Sequence, residues 1–339
     1  MNFTGAHILS IEQFERADIE VLFATADNME PYAQRRRITR VLEGAILGNM
    51  FFEASTRTRI SFGSAFNLLG GDVRESVGMD SSSLIKGEAL QDTARVLSGF
   101  SDVICMRHPE PGSVAQFAAA SRVPVMNGGD GSNEHPSQAL LDLYTIAKEL
   151  QGQGRSIDGL RIAMVGDLKY GRTVHSLCKL LSLYKNIQVT LVSPAELAMP
   201  EQYVDHLRQA GHQVSVTDQL EASISSVDIV YSTRIQEERF SDRTQADLYR
   251  GRFRLNQAIY TEHCEPNTVI MHPLPRDSRV EANELDTDLD ANPKLAIFRQ
   301  ADNGLLVRMA LFALVLDVAH LVDQHSKEVH WYNSRDLKK

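Results

Sequence analysis

The densest chemistry in the chain is the run Ser55-Thr56-Arg57-Thr58-Arg59, which follows the apolar stretch Met50-Phe51-Phe52. Upstream, Ala45-Ile46-Leu47 and Met50-Phe51-Phe52 have the composition of a buried strand. Downstream, Phe62, Ala65, Phe66 and Leu69 recur at helical spacing until Gly70-Gly71 ends them. Ser55 to Arg59 therefore open a helix. The unpaired N–H groups of a helix start, joined by hydroxyls and a forked guanidinium, suit a phosphate or a carboxylate. Taken alone, such a run is also read as an N-cap followed by solvated arginines.

Further polar clusters stand where other apolar runs stop: Arg107-His108-Pro109, Asn127 to Gln138, Gly166 to Arg172, Ser232 to Gln236, and His272 to Arg276. Ligands of open α/β sheets collect outside the carboxyl ends of the strands, so these ends predict a cleft between domains lined by anion-binding groups. His135 immediately precedes a helix that Pro136 starts and whose apolar face is Leu140, Leu143, Ala147 and Leu150. The octet Gly166 to Thr173 comes within one residue of a phosphate-binding P-loop, with Arg172 where the lysine belongs. Arginine does not reproduce that lysine's compact reach, and no acidic strand end offers a magnesium partner, which argues against an NTPase. Arg234 ends another strand with Gln236 nearby, and Glu238 is spaced to orient its guanidinium. The two prolines of His272-Pro273-Leu274-Pro275-Arg276 predict an extended backbone whose Leu274 and Pro275 carbonyls could meet an ammonium or an amide. The polar run Asp80 to Glu88, with Ser83 and Lys86, reads by itself as a connector.

The elements that must carry these groups alternate between strand and helix. Up to about residue 150 the strand-like runs include Val103 to Met106 and Val123 to Met126. The segment Gln151-Gly152-Gln153-Gly154-Arg155-Ser156 breaks the pattern. Beyond it, Leu160 to Val165, Ile187 to Val192, Val214 to Val216, Val227 to Tyr231 and Thr268 to Met271 read as strands of a second sheet. Leu305, Met309, Phe312, Leu316 and Ala319 make a last helix, able to pack on either half. The expected class is α/β, with two domains that each hold a parallel sheet flanked by helices. They span 1–150 and 151–300, and the helices of 301–339 return to the first.

At 339 residues and 43% hydrophobic composition, the chain is long enough for two such cores. Its 35 basic and 44 acidic residues give a net charge of −9, which argues against a nucleic-acid partner. Cys105, Cys178 and Cys264 are too far apart for a Cys-x-x-Cys site, so neither a disulfide framework nor a zinc site is expected. The acidic first thirty residues lack a signal-peptide core, and Arg308 and Asp317 interrupt the most apolar segment, Gly304 to Val322. No membrane partner is expected, and the location is expected to be cytoplasmic. Arg35-Arg36-Arg37 with Arg40 reads as the solvated face of a polar helical stretch.

Taken together, the motifs between Phe51 and Arg276 resemble those of the aspartate/ornithine carbamoyltransferase family. The resemblance implies that Ser55, Thr56, Arg57 and Thr58 grip the phosphate of carbamoyl phosphate together with Arg107. Ser83 and Lys86 would reach into the same site from a neighbouring subunit, Lys86 also touching aspartate. His135 would donate to the carbamoyl oxygen and Gln138 would hold the carbamoyl NH₂. On this reading Arg57, Thr58, Lys86, Arg107 and His135 are the catalytic groups. Arg172, Arg234 and Gln236 would bind aspartate, and the Leu274 and Pro275 backbone would contact the carbamoyl or amine groups. The first domain becomes the carbamoyl-phosphate-binding domain and the second the aspartate-binding domain.

The implied reaction gives N-carbamoyl-L-aspartate and phosphate, a step of pyrimidine biosynthesis, with no metal or organic cofactor. A homotrimer with shared sites is implied, with regulatory chains as further possible partners. Pro273 stands where the ornithine branch usually has a cysteine, which favours the aspartate branch. Ornithine as acceptor and a non-catalytic paralogue that binds anions are the alternatives. Glu134 departs from the uncharged residue that several relatives carry beside the histidine.

Overall fold

A computed structural model describes residues 1–78, 87–236, 249–279 and 282–331. The chain divides into two compact units, Met1–Ser137 with Asn303–Lys339, and Gln138–Asp302. It passes from one to the other within helices Pro136–Gln151 and Ile297–Val315. No helix among the described residues is long and apolar enough to cross a membrane.

In the first unit, β1 (Arg37–Thr39) stands outside the main sheet, which comprises β2 (Ile46–Phe51), β3 (Asp72–Val77), β4 (Val103–His108) and β5 (Val125–Asp130). All pairings in that sheet are parallel and its order is β3-β2-β4-β5. Helix Thr56–Leu68 follows β2 and buries Phe62, Ala65 and Phe66. The rings of Phe62 and Phe66 meet Phe312 edge-on, at 5.9 and 5.0 Å between centroids, so the later part of helix Ile297–Val315 packs in this unit.

Two expectations change here. β4 and β5 extend past their apolar runs, taking in Arg107, His108 and Asn127 to Asp130, because backbone pairing continues where the side chains turn polar. The cluster Arg35 to Arg40 is not the face of a helix. Arg35 turns left-handed at φ 59°, and β1 then pairs antiparallel with β11 (Ser326–Glu328). Beside this pairing, Tyr32 donates to Asp323 Oδ1 at 2.6 Å, and Arg37 lies 3.4 Å from the same carboxylate. β3 escapes notice in the sequence because it is an edge strand with mostly exposed side chains, held to β2 by backbone bonds.

The second unit contains β6 (Arg161–Val165), β7 (Gln188–Val192), β8 (Gln213–Thr217), β9 (Ile229–Ser232) and β10 (Val269–Met271), all parallel, in the order β10-β9-β6-β7-β8. Ala163, Val165, Val192, Val230 and Ile270 pack with Leu220, Leu255, Leu285 and Ile297 on one core. At the opposite end of the strands from the polar clusters, Asp228 is 2% exposed and pairs with Arg155 and Arg161. Burial pushes its carboxyl up, but hydrogen bonds from the two arginines outweigh that and hold it below the usual carboxylate range.

A carboxyl held down in this way stabilises the fold fully at neutral pH and loses that contribution as pH falls through its folded value, below about 4. Asp228→Asn should therefore cost about 3 kcal/mol in urea unfolding at pH 7, with the gap to wild type closing as the acid range is entered. An undiminished gap at pH 3 would remove the pairing from the account.

Candidate functional site

Each sheet reverses its strand order once, and ligand sites of open parallel sheets form at such reversals. In the first unit the reversal lies between β2 and β4, in the second between β6 and β9. The loops at these points carry Ser55 to Thr58 and Arg107 in one unit, and Gly166 to Arg172 and Thr233 to Gln236 in the other.

In the first unit, Phe51 pairs with Arg107 across the ladder and Phe52 N donates to Arg107 O at 2.9 Å, which sets the start of the next helix beside the arginine. Ser55 occupies the N-cap in an extended conformation, and its side chain makes no capping hydrogen bond. Thr58 is buried, Ser55 is half-buried, and Thr56 and Arg57 are exposed. Arg107 is 8% exposed; its Nε lies 3.0 Å from Glu53 Oε2 and its Nη1 donates to Gly128 O at 3.4 Å. This packing depends on Gly129, whose φ is +128° and where an added Cβ would lie 2.9 Å from Arg107 Nη1. His135 is buried with Nε2 3.5 Å from Thr58 Oγ1 and Nδ1 3.5 Å from Ser137 Oγ. Thr58, Arg107 and His135 are thus polar groups buried in one unit.

Two residues that the sequence did not single out as site groups support that cluster. Arg308, noted only as a break in an apolar segment, is 4% exposed and lies 4.9 Å over the Phe62 ring. It donates to Ser61 Oγ at 2.9 Å and Ser137 Oγ at 3.3 Å, tying the first helix of the site to the residue that meets His135. A lone arginine in a long apolar helix was the available signal. Glu134, the departure beside the histidine, accepts from Ser10 Oγ at 3.0 Å and Ile11 N at 2.8 Å, fastening the N-terminal segment to the histidine loop.

In the second unit, Gly166 at φ +115° allows the two loops of the reversal to touch, since a Cβ there would lie 2.2 Å from Thr233 O. Asp167, fully buried, then joins them: Oδ1 accepts from Tyr170 N at 3.0 Å and Oδ2 from Gln236 N at 3.1 Å. Arg172 starts helix Arg172–Leu181 and is 9% exposed, while Arg234 and Gln236 are half-buried. Two guanidinium groups therefore flank one loop junction. His175 Nε2 donates to Leu168 O over 2.8 Å and its ring stacks on Tyr203; burial brings its pKa down to about 4, so it is a neutral spacer near pH 7.

The 272–276 segment corrects an expectation. Its backbone is not extended: Leu274 adopts φ 57°, and the Leu274-Pro275 peptide is cis. The imidazole explains the turn, because His272 Nδ1 accepts the Leu274 N–H at 2.9 Å. Arg276 makes a two-pronged pair with Asp290 at 2.8 and 2.9 Å and is held there. Gln138 donates to Asp142 Oδ1 at 2.9 Å. Ser83, Lys86 and Glu238 lie outside the described residues.

Two family models match the chain, one in each half. Residues 6–148 match the aspartate/ornithine carbamoyltransferase carbamoyl-P binding domain, and residues 158–315 match the Asp/Orn binding domain of the same family. The chain belongs to the aspartate/ornithine carbamoyltransferase family. Within the family it is 75% identical over 334 residues to the aspartate carbamoyltransferase catalytic subunit of Cellvibrio japonicus, covering 98% of this chain and 99% of that one. The corresponding subunit of Dichelobacter nodosus is 54% identical over 318 residues, covering 94% and 91%. Among solved structures, Trypanosoma cruzi aspartate transcarbamoylase in complex with carbamoyl phosphate superposes with a TM-score of 0.84 at 39% identity, over 93% of this chain and 97% of that one. The catalytic subunit of the M. jannaschii enzyme gives 0.82 at 41% identity, over 92% and 98%.

Gly129→Ala should force Arg107 from its place or strain the backbone by about 1–3 kcal/mol. The melting temperature should fall, and so should the protection that inorganic phosphate gives against thermal unfolding. Unchanged phosphate protection would separate Arg107 from anion binding.

Proposed function

We propose that the chain transfers the carbamoyl group of carbamoyl phosphate to the amine of L-aspartate, yielding N-carbamoyl-L-aspartate and phosphate for pyrimidine biosynthesis. The observation that carries this reading is the pair of sheet reversals: one carries Ser55 to Thr58 and Arg107, the other Arg172, Arg234 and Gln236. A phosphate and a dicarboxylic amino acid are the two ligands that such sets would serve. Relatives up to 75% identical bear the name aspartate carbamoyltransferase, and two solved relatives contain the proposed substrates. Ornithine fits less well, because Arg172 and Arg234 would repel a cationic side chain.

In the reaction, the neutral amine attacks the carbonyl carbon, a C–N bond forms, the carbonyl becomes an oxyanion, and the C–O bond to phosphate then breaks. Ser55, Thr56, Arg57, Thr58, Arg107, Ser83 and Lys86 hold the phosphate and meet its charge as it leaves. Thr58, Arg107 and His135 donate to the oxyanion, where the loss of one donor typically costs about 2.7–4 kcal/mol. Gln138 holds the carbamoyl NH₂, and Arg172, Arg234, Gln236 and Lys86 hold aspartate. Leu274 and Pro275 offer backbone carbonyls to the carbamoyl and amine groups. Holding amine and carbonyl in line contributes on the order of 7–11 kcal/mol more. Proton loss from the amine completes the balance, with the departing phosphate as an available acceptor.

The acceptor is decided by a carbamoylation assay of the purified chain with L-aspartate and L-ornithine in parallel. Carbamoyl-aspartate should form, and faster carbamoylation of ornithine would overturn the assignment.

The reading extends to a cytoplasmic homotrimer in which Ser83 and Lys86 serve a neighbour's site, and to a catalytic chain able to take regulatory chains. A ring of three identical head-to-tail contacts closes on itself, so each contact completes one site. Inactive Lys86→Ala chains mixed after dissociation with inactive His135→Ala chains should regain activity, because some sites then pair two intact residues. A mixture that stays inactive would return Lys86 to its own chain's site.

A further inference from the structure

Asp142, in the second unit, is fully buried and plays no part in the reaction just described. Its Oδ1 accepts from Gln138 Nε2 at 2.9 Å and from Gln300 Nε2 at 2.6 Å, and its Oδ2 accepts from the Tyr231 hydroxyl at 2.6 Å. An ionised carboxylate can only accept hydrogen bonds, so both glutamine amides must turn their NH₂ groups toward it. Each then presents its carbonyl oxygen elsewhere. For Gln300 the destination is visible: its Oε1 accepts the His272 N–H at 2.9 Å, at the head of the turn that carries Leu274 and Pro275. Tyr231 remains a donor, since burial and the neighbouring Asp142 charge push its pKa well above the usual phenol value.

We propose that Asp142 is a positioning residue that sets the polarity of the Gln138 amide, so that Gln138 offers its carbonyl oxygen, and not its NH₂, to the NH₂ of the carbamoyl group. The inference rests on the carbamoyl-transfer reading. A glutamine amide is nearly symmetric in shape, and without a fixed partner it could turn either face to the substrate. Presented the wrong way, its NH₂ would confront the carbamoyl NH₂, donor against donor, and selectivity for an amino group would be lost. The same carboxylate, through Gln300, holds the backbone of the 272–275 turn, so one buried charge orients two parts of the substrate-facing surface.

Asp142→Asn tests this with almost no change of volume. Asparagine both donates and accepts, which frees Gln138 to flip. Carbamoyl phosphate is compared with acetyl phosphate, which has a methyl where the amino group stands, as a competitive inhibitor. The ratio of their affinities should drop about tenfold in the variant, through weaker carbamoyl phosphate binding, while acetyl phosphate binds within about twofold of wild type. Equal weakening of both ligands would mark Asp142 as structural only, and an unchanged ratio would equally overturn the proposal. If Asp142→Asn does not fold, Asp142→Thr, similar in volume and also both donor and acceptor, is read in the same ratio. Wild-type activity is assayed alongside: a wild type that forms no carbamoyl-aspartate defeats the functional reading itself, whereas an active wild type with an unaltered variant ratio defeats only the role of Asp142.

Discussion

Parallel pairing obliges all strands of a sheet to deliver their carboxyl ends to the same edge, and the placement of the candidate site residues depends on that constraint. β2 and β4 end side by side, as do β6 and β9, and in both cases the strand order reverses between them. No connecting helix has to cover the junction at a reversal, which leaves room for the Ser55 loop beside Arg107 and for the Gly166 loop beside Thr233. Close approach of the loops then requires backbone without side chains. Gly166 and Gly129 supply it, the first against Thr233 O and the second against the Arg107 guanidinium.

Around these junctions the polar groups are organised by buried acidic side chains more than by the basic ones. Asp167 gathers N–H groups from two loops, Glu134 takes a hydroxyl and an N–H from the N-terminal segment, and Asp142 receives two amides and a phenol. A carboxylate in a low-dielectric interior must be satisfied by donors, so each of these residues imposes a geometry on its neighbours at a cost offset by several hydrogen bonds. On the proposed reading, the arginines and the histidine of these loops are the groups that meet ligands. Arg308 is the complementary case, a buried cation whose two hydroxyl partners link helix Thr56–Leu68 to the start of the helix that follows His135.

The sequence by itself determined the α/β class, the strand and helix runs with strong periodicity, and the donor-rich segments at Ser55 to Arg59, His135 to Gln138, Gly166 to Arg172 and Thr233 to Gln236. These were legible because apolar period and local composition are properties of neighbours along the chain. The edge strand β3 was not, since its side chains are mostly exposed and its stability comes from backbone bonds to β2. Nor was the pairing of Arg37–Thr39 with Ser326–Glu328, which joins segments almost the whole chain apart.

Tertiary structure alone decided which strand ends are adjacent, that the 272–275 segment turns back on the His272 ring, and that Asp142, Asp167 and Arg308 support the groups around them. In the sequence, Asp142 is one polar residue on an amphipathic helix and Arg308 one charge in an apolar stretch. Local context does not say what either side chain supports. Burial does, because only in the interior must every donor find an acceptor, and that requirement is met by partners as distant in sequence as Gln300 is from Asp142.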